Sequence, residues 1–418
     1  MRLSTSSNFD QFGSVQIHEL QRVIELDAGS GRCTSSSSVV SRTALLAIES
    51  QMVIVVLCKN EHKRTIEGVL SGIPHDCLVI LVSNSDRNPV DRFQTEKQFL
   101  ESFCKEADRT AIAIHQKDPG AAKAFLSAGA PDLVAEDGLI HDGKGEGMFL
   151  GMALAALTGR QYIGFIDADN YIPGSVHEYC KAYAAGFHLA KTPNAMIRLS
   201  WSSKPKQKNG RMVFECKGRS SKVVNHWLNS LLQDYSGYGT ECITTGNAGE
   251  HAMTMSLGMR LRFASGFAIE PYQYIDLLEN LSGMLDNKEK KHSRIPQVHI
   301  HQIKTRNPHL HDNKGDDHVQ HMLVQALSMI YHSTLTKEAM KQELWQCMHE
   351  NGWLIHGQVP SQERIYPAIE TLDLARLSGL LNRKAESLSF LQGHTQEIST
   401  PGRLEIKMSI AGNDDWCR

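Results

Sequence analysis

The sequence predicts an α/β fold, a mostly parallel central sheet with helices on both faces, and three observations carry that prediction. Apolar runs of strand length recur at Met52 to Cys58, Cys77 to Val82, Ala111 to Ile114 and Tyr162 to Ile166. Segments of helical length lie around and between them, at 61–70, 92–106, 119–128 and 145–158. Each run also ends in polar side chains, and ligands of parallel sheets bind beyond the carboxyl ends of the strands.

The elements follow in order. Residues 9–28 suggest a short strand and then a helix, and the serine-rich stretch Gly29 to Ser38 reads as a linker before the core. Met52 to Cys58 is continuous and β-branched, as in a strand covered on both faces. The fourth run delivers Asp167-Ala168-Asp169. After it come a helix at 174–186, a strand at Asn194 to Trp201, and a basic patch, Lys204-Pro205-Lys206-Gln207-Lys208, read as a solvated hairpin tip. A short strand from Met212 to Cys216, a helix at 219–232 and a glycine-containing turn from Thr244 to His251 come next. Strands at Leu261 to Ala264 and Val298 to Ile303 precede helices at 316–333, 336–350 and 361–382 and a polar tail.

Composition narrows the function. With 44 basic against 46 acidic side chains in 418 residues, nothing in the charge calls for nucleic acid or an anionic membrane, and a small-molecule substrate is expected. Nine scattered cysteines without a C-x-x-C spacing fit a reducing compartment. The opening MRLSTSSNFDQFG lacks an apolar signal core, and the apolar patch at Met148 to Leu157 is too short to span a bilayer, so a cytoplasmic protein is expected.

Asp167 and Asp169, two residues apart where a strand leaves the sheet, point the same way and suit a hard cation such as Mg²⁺ or Mn²⁺ shared with a diphosphate. A D-x-D tripeptide also arises by chance. Asp142-Gly143-Lys144-Gly145-Glu146-Gly147 precedes a helix, where close backbone approach and the Lys144 charge suit a phosphate; an ordinary surface turn is the competing reading. Gly218-Arg219-Ser220-Ser221 opens another helix and suits a second anion, or is a plain serine cap with an exposed arginine. His309 and His311, like His299 and His301, offer pairs of imidazoles that a partner carboxylate would make metal ligands, though a chain with 20 histidines also produces such pairs by accident. No G-x-S-x-G elbow and no G-x-G-x-x-G turn is present, which removes the main support for hydrolase and dehydrogenase readings.

Taken together, SGIPHD, HQKDPG, GKGEG, GFIDADNYIPG, AYAAGF with LAKTP, GNAGEHAM, ASGFAIEP and NPHLH, in this order, resemble the mannosyl-3-phosphoglycerate synthases, retaining GT-A glycosyltransferases. The resemblance covers residues 9–330. It implies transfer of mannose from GDP-mannose to 3-phosphoglycerate with a divalent metal, Mg²⁺ or Mn²⁺, in a homodimer. It implies Asp169 and His309 as metal ligands and Asp167 beside the donor. Asn60, Glu61, Ser83, Lys117 and Lys144 would hold the nucleotide sugar. Gly218, Arg219, Ser221, Asn247 and His251 would hold the acceptor, with Glu270 as a supporting catalytic residue. The chain then divides into an N-terminal extension packed on the core (1–50), a nucleotide-sugar half (51–200), an acceptor- and metal-binding half (201–330) and a helical C-terminal region (331–418).

One departure stands out. The family's first strand ends in proline, threonine and arginine, whereas Leu57-Cys58-Lys59 stands here, and lysine keeps the charge without the bidentate fork. Rival readings are a glucosyl-3-phosphoglycerate synthase-like transferase and a non-catalytic nucleotide-sugar binder. A nucleotidyltransferase would need a glycine-rich loop where CKNEHKR stands.

Overall fold

Alternate residues of the apolar strands serve two different cores, which is why those runs read as continuous. On Met52–Cys58, Val53 and Val55 join one buried cluster while Met52, Ile54 and Val56 join the other. A computed structural model describes residues 2–4, 9–22, 37–170, 172–201, 204–208, 210–215, 218–285, 297–310, 315–355 and 357–393.

Its main strands are β1 (Val15–Arg22), β2 (Met52–Cys58), β3 (Leu78–Ser83), β4 (Ala111–His115), β5 (Tyr162–Asp167), β6 (Asn194–Trp201), β7 (His251–Thr254) and β8 (Val298–Thr305). They lie in the order β4-β3-β2-β5-β7-β6-β8-β1 within one 12-stranded sheet that short strands complete at the edges. β7 alone of these eight runs antiparallel to both its neighbours. Ser389–Leu391 covers the outer edge of β4, so the sheet draws on every segment from the N-terminal extension to the C-terminal region.

The helices that position the cleft are α1 (Lys63–Gly72), α2 (Arg92–Ala107), α3 (Pro119–Ala128), α4 (Lys144–Leu157), α5 (Pro173–Leu189), α6 (Arg219–Ser236), α7 (Ile269–Asp276) and α8 (Asp316–His332). Helix α4 is buried almost all round because its glycines and alanines let strands approach: a Cβ on Gly151 would stand 2.6 Å from Val55 Cγ1. α1, α2 and α5 cover the opposite face. Among the described residues, no helix is long and apolar enough to cross a membrane.

Four expectations change. The helix expected after residue 20 is instead the continuation of β1, because pairing with β8 from Val15 to Gln21 outweighs the spacing of its apolar residues; residues 23–28, like the serine-rich linker to residue 36, lie outside the described residues. The strand expected at Leu261 to Ala264 shrinks to Phe263–Ala264. That strand pairs with Ile365–Tyr366, which, with Pro367, breaks the helix expected from 361 to 382 and leaves Leu374–Lys384. His251 belongs to the four-residue strand β7 and not to the preceding turn.

Candidate active site

Beyond the carboxyl ends of β2, β3, β5 and β6 opens a cleft of about 1340 Å³. Because β7 runs the other way, the residues that enter it, Gly249 and Glu250, arrive at this same end.

The floor of the cleft is an ion triad. Lys144, the first residue of α4, places its Nζ 2.8 Å from Asp167 Oδ2 and 2.7 Å from Glu270 Oε1. Burial opposes the Lys144 charge, but the carboxylates of Asp167 and Glu270 overturn that and hold its pKa above the ordinary lysine value. Gly143 precedes it at φ +154°, and a Cβ there would stand 2.1 Å from Glu146 Oε2. Glu146 faces away from substrate: it accepts hydrogen bonds from Gly266 N (3.1 Å) and from the Tyr366 hydroxyl (2.6 Å), tying the C-terminal region to the GKGEG turn. Gly249 lies against the triad, where a side chain would collide with it.

Beside the triad stand Asp169 and His309, both buried and both lining the cleft. The His309 ring stacks on Trp201 with centroids 3.9 Å apart and planes 2° from parallel. Its Nδ1 lies 3.3 Å from the Tyr179 hydroxyl, 3.4 Å from Asn170 Nδ2 and 3.9 Å from Glu250 Oε1. Burial, and then the nearby charges of Asp167, Asp169 and Glu270 against the opposing charge of Lys144, push the Glu250 carboxyl up to about 8. Glu250 Oε1 and Glu270 Oε2 are buried without a hydrogen-bond partner.

Toward β2 and β3 the wall contains Leu57, Cys58, Lys59, Asn60, Glu61 and Asn84. Asn60 adopts φ 60°, a conformation asparagine tolerates, and exchanges side-chain hydrogen bonds with Asp86. Lys59 pairs with Asp142 at 3.1 Å, and Asn84 donates to the same carboxylate. Ser83 and Lys117, expected at the nucleotide, lie outside this lining: the Ser83 hydroxyl donates to buried Glu96 at 2.5 Å, and Lys117 Nζ donates to the Ile140 carbonyl at 2.6 Å. Gln116 lines the cleft instead, braced by the carbonyls of His141 and Gly143.

On the opposite wall the start of α6 presents Gly218, Arg219 and Ser221 together with Asn247. Arg219 pairs with Asp316 of α8 at 2.8 Å, and both are well exposed. Asn247 Oδ1 is buried without a hydrogen-bond partner. His251 is fully buried and does not line the cleft; its Nδ1 faces the Ala248 and Gly249 carbonyls and its Nε2 lies 2.8 Å from Gln273 Nε2. Burial, reinforced by Arg198, keeps that ring neutral. Arg198, which sequence reasoning passed over, is fully buried and donates to the carbonyls of Thr245 (2.9 Å) and Glu270 (3.1 Å), fixing both walls to β6. An arginine inside the run Asn194 to Leu199 was the signal available. Glu250 was missed beside Asn247 and His251, and only its place at the mouth of β7 reveals its direction.

A largely parallel sheet with one reversed strand among its eight main strands, and acids and a buried lysine beyond the strand ends, make this an α/β protein that takes its ligand at the carboxyl edge of the sheet. The family model of mannosyl-3-phosphoglycerate synthase matches residues 5–381. The mannosyl-3-phosphoglycerate synthase of Pyrococcus furiosus is 40% identical over 379 residues, 90% of this chain and 96% of that protein. Its counterpart from Aeropyrum pernix is 35% identical over 365 residues, 87% and 94% of the two chains. Among solved structures, glucosyl-3-phosphoglycerate synthase from Mycobacterium tuberculosis in complex with Mn²⁺, UDP-glucose and phosphoglyceric acid aligns at TM-score 0.47 and 16% identity, covering 80% of this chain and 95% of that one. The chain belongs to the mannosyl-3-phosphoglycerate synthase family.

Proposed function

We propose that this enzyme transfers mannose from GDP-mannose to the hydroxyl of 3-phosphoglycerate with retention of configuration, releasing GDP. The observation that carries the reading is the charge at the base of the cleft. The carboxylates of Asp167, Asp169, Glu250 and Glu270 gather around the single Lys144 ammonium, an excess of acids where a diphosphate has to sit. A divalent cation balances them, and the buried Glu250 oxygen, which has no hydrogen bond and lies 3.9 Å from His309 Nδ1, fits such a site. Asp169 and His309 would hold the ion, with Glu250, Tyr179 and Asn170 steadying the Nδ1 side of the His309 ring. When bound, the metal supplies charge neutralisation for the departing diphosphate.

The side chains divide the remaining work. Lys144 has three N–H groups; two serve Asp167 and Glu270, and the third is left for a donor phosphate oxygen. Asn60, Glu61 and Asn84 line the nucleoside side. Gly218, Arg219, Ser221 and Asn247 receive the acceptor's anionic groups, so that its hydroxyl meets the sugar from the face the diphosphate leaves. That departing oxygen then takes the hydroxyl proton. On the same reading the chain works as a cytoplasmic homodimer, which light scattering on the purified protein checks for its oligomeric part.

The deciding assay incubates the protein with GDP-mannose, Mg²⁺ and 3-phosphoglycerate, beside GDP-glucose and UDP-glucose. GDP release that requires phosphoglycerate and is fastest with GDP-mannose is expected. Release without phosphoglycerate overturns the acceptor, and preference for UDP-glucose overturns the donor.

A further inference from the structure

Three histidines outside the cleft face one another on the side of the sheet that carries α5. His299 and His301 are two residues apart on β8, and His18 on the parallel neighbour β1 stands in register with His301, so all three rings share one face. One ring nitrogen of each lies within 4.8 Å of the other two. The rings are not simply stacked for packing: His18 and His301 meet edge-on at 5.0 Å, whereas His18 and His299 are tilted at 5.2 Å.

The hydrogen bonding of the trio has an unfilled centre. His301 Nδ1 lies 3.1 Å from the Gly186 carbonyl of α5. That contact puts the proton on Nδ1 and leaves Nε2 as an electron-pair donor, the arrangement by which a backbone carbonyl orients a metal-bound imidazole. His18 Nε2 and His299 Nε2 are both buried without a hydrogen-bond partner, and the His299 residue is only 5% exposed. Burial lowers His18 to about 4 and His301 to about 3, so the rings are neutral, the form in which imidazole binds metals.

We propose that His18, His299 and His301 form a second metal site, for a zinc-class cation, that pins β1 to β8. Three neutral nitrogen donors suit Zn²⁺, Co²⁺ or Ni²⁺ and offer little to Mg²⁺, which needs hard oxygens. Lys191 lies close enough to act on His18 and His299, and its charge opposes any dication there, a repulsion that the three imidazole bonds have to outweigh. Zn–N bonds of about 2.0–2.1 Å in a tetrahedron place ligand nitrogens roughly 3.3 Å apart, so nitrogens that lie within 4.8 Å of one another have to draw in by up to about 1.5 Å, with the fourth position left to water. The two sites are separate on the fold: His299 and His301 sit in the first half of β8, while His309 follows its far end.

The experiment uses the full chain, stripped with chelator and then held in excess Mg²⁺ to occupy the cleft. Co²⁺ is titrated while the visible absorption of tetrahedral cobalt is followed, and Zn²⁺ is used to displace it. One equivalent of tetrahedral Co²⁺ is expected in the unmodified protein and in Asp169→Asn. His18→Ala, which alters the half-buried ring and leaves the two β8 histidines in place, should weaken the binding roughly tenfold or more, with turnover unchanged. Zn²⁺ should raise the melting temperature of the unmodified protein and not that of His18→Ala, a readout that holds whatever happens to activity. Absence of the tetrahedral band, its persistence in His18→Ala, or its loss in Asp169→Asn overturns the site.

Discussion

Replacing Gly249 by alanine adds one methyl group to the wall that faces the Lys144 triad. The new Cβ would lie 2.6 Å from Asp167 Oδ2, 2.8 Å from Lys144 Nζ and 3.4 Å from Glu270 Oε1. Gly249 is not among the positive-φ glycines, so its backbone accepts alanine and the whole effect falls on the triad. Reaching ordinary contact requires the first two groups to retreat by ~0.6–0.8 Å. They cannot retreat independently, because Lys144 holds both carboxylates at 2.7–2.8 Å. Overpacking of this size costs about 1–3 kcal/mol of stability. A displacement approaching 1 Å of groups that position the donor lowers turnover about 100-fold, equivalent to about 2.7 kcal/mol in the barrier. Steady-state GDP release and urea unfolding measure the two effects, with Gly174→Ala as control because its Cβ meets nothing within 4 Å. The KM for phosphoglycerate should stay within about twofold, since the acceptor wall is untouched. Wild-type turnover in a folded Gly249→Ala, or a loss confined to that KM, refutes the placement of the triad at the reacting diphosphate.

The remaining predictions rest on the other walls. Glu250 has its carboxyl raised from 4.5 to about 8, so the stability it lends is complete below pH 4.5 and is lost as pH rises toward and through 8. Glu250→Gln removes that loss, and the metal-free variant should gain of order 3 kcal/mol over the unmodified protein at pH 7 and nothing near pH 4.5, read by urea melts in chelator. Equal differences at both pH values refute it. Arg219→Ala should raise the KM for phosphoglycerate with little change for GDP-mannose, whereas Asp316→Asn, by releasing Arg219 from an exposed pair, should change stability by less than about 1 kcal/mol and lower that KM. Asp169→Asn and His309→Ala should each raise the metal concentration for half-maximal turnover roughly 10- to 100-fold, and an unchanged metal titration argues against their role.

The sheet's parallel strands and covering helices were legible because buried strands and amphipathic spacing leave a local trace in the chain. β7 was not: four residues, His251 to Thr254, carry no period, and the strand exists because β5 and β6 leave a gap for it. That gap also decides the neighbouring side chains. Glu250, just before the strand, lines the cleft and His251, one residue later, goes into the core, a parity that no motif prints. Ser83 and Lys117 stood at strand ends that sequence reasoning treated as equivalent; Glu96 of α2 and the Ile140 carbonyl claimed them, while Asn84 and Gln116 took the places on the cleft wall. Asp167, Asp169, Lys144 and Glu270 were all legible as residues, but their pairing spans 126 positions between Lys144 and Glu270 and is a property of the fold alone.

The hydrogen bond from Tyr366 to Glu146 has a consequence for how the protein comes into being. Its partners are 220 residues apart, so when α4 leaves the ribosome the carboxylate it must bury has no hydroxyl to meet. β1 waits in the same way for β8, nearly three hundred residues downstream. The cleft therefore reaches its final form only after Tyr366 has been made, and a nascent chain stopped before it should hold its first strands while remaining unable to retain the donor.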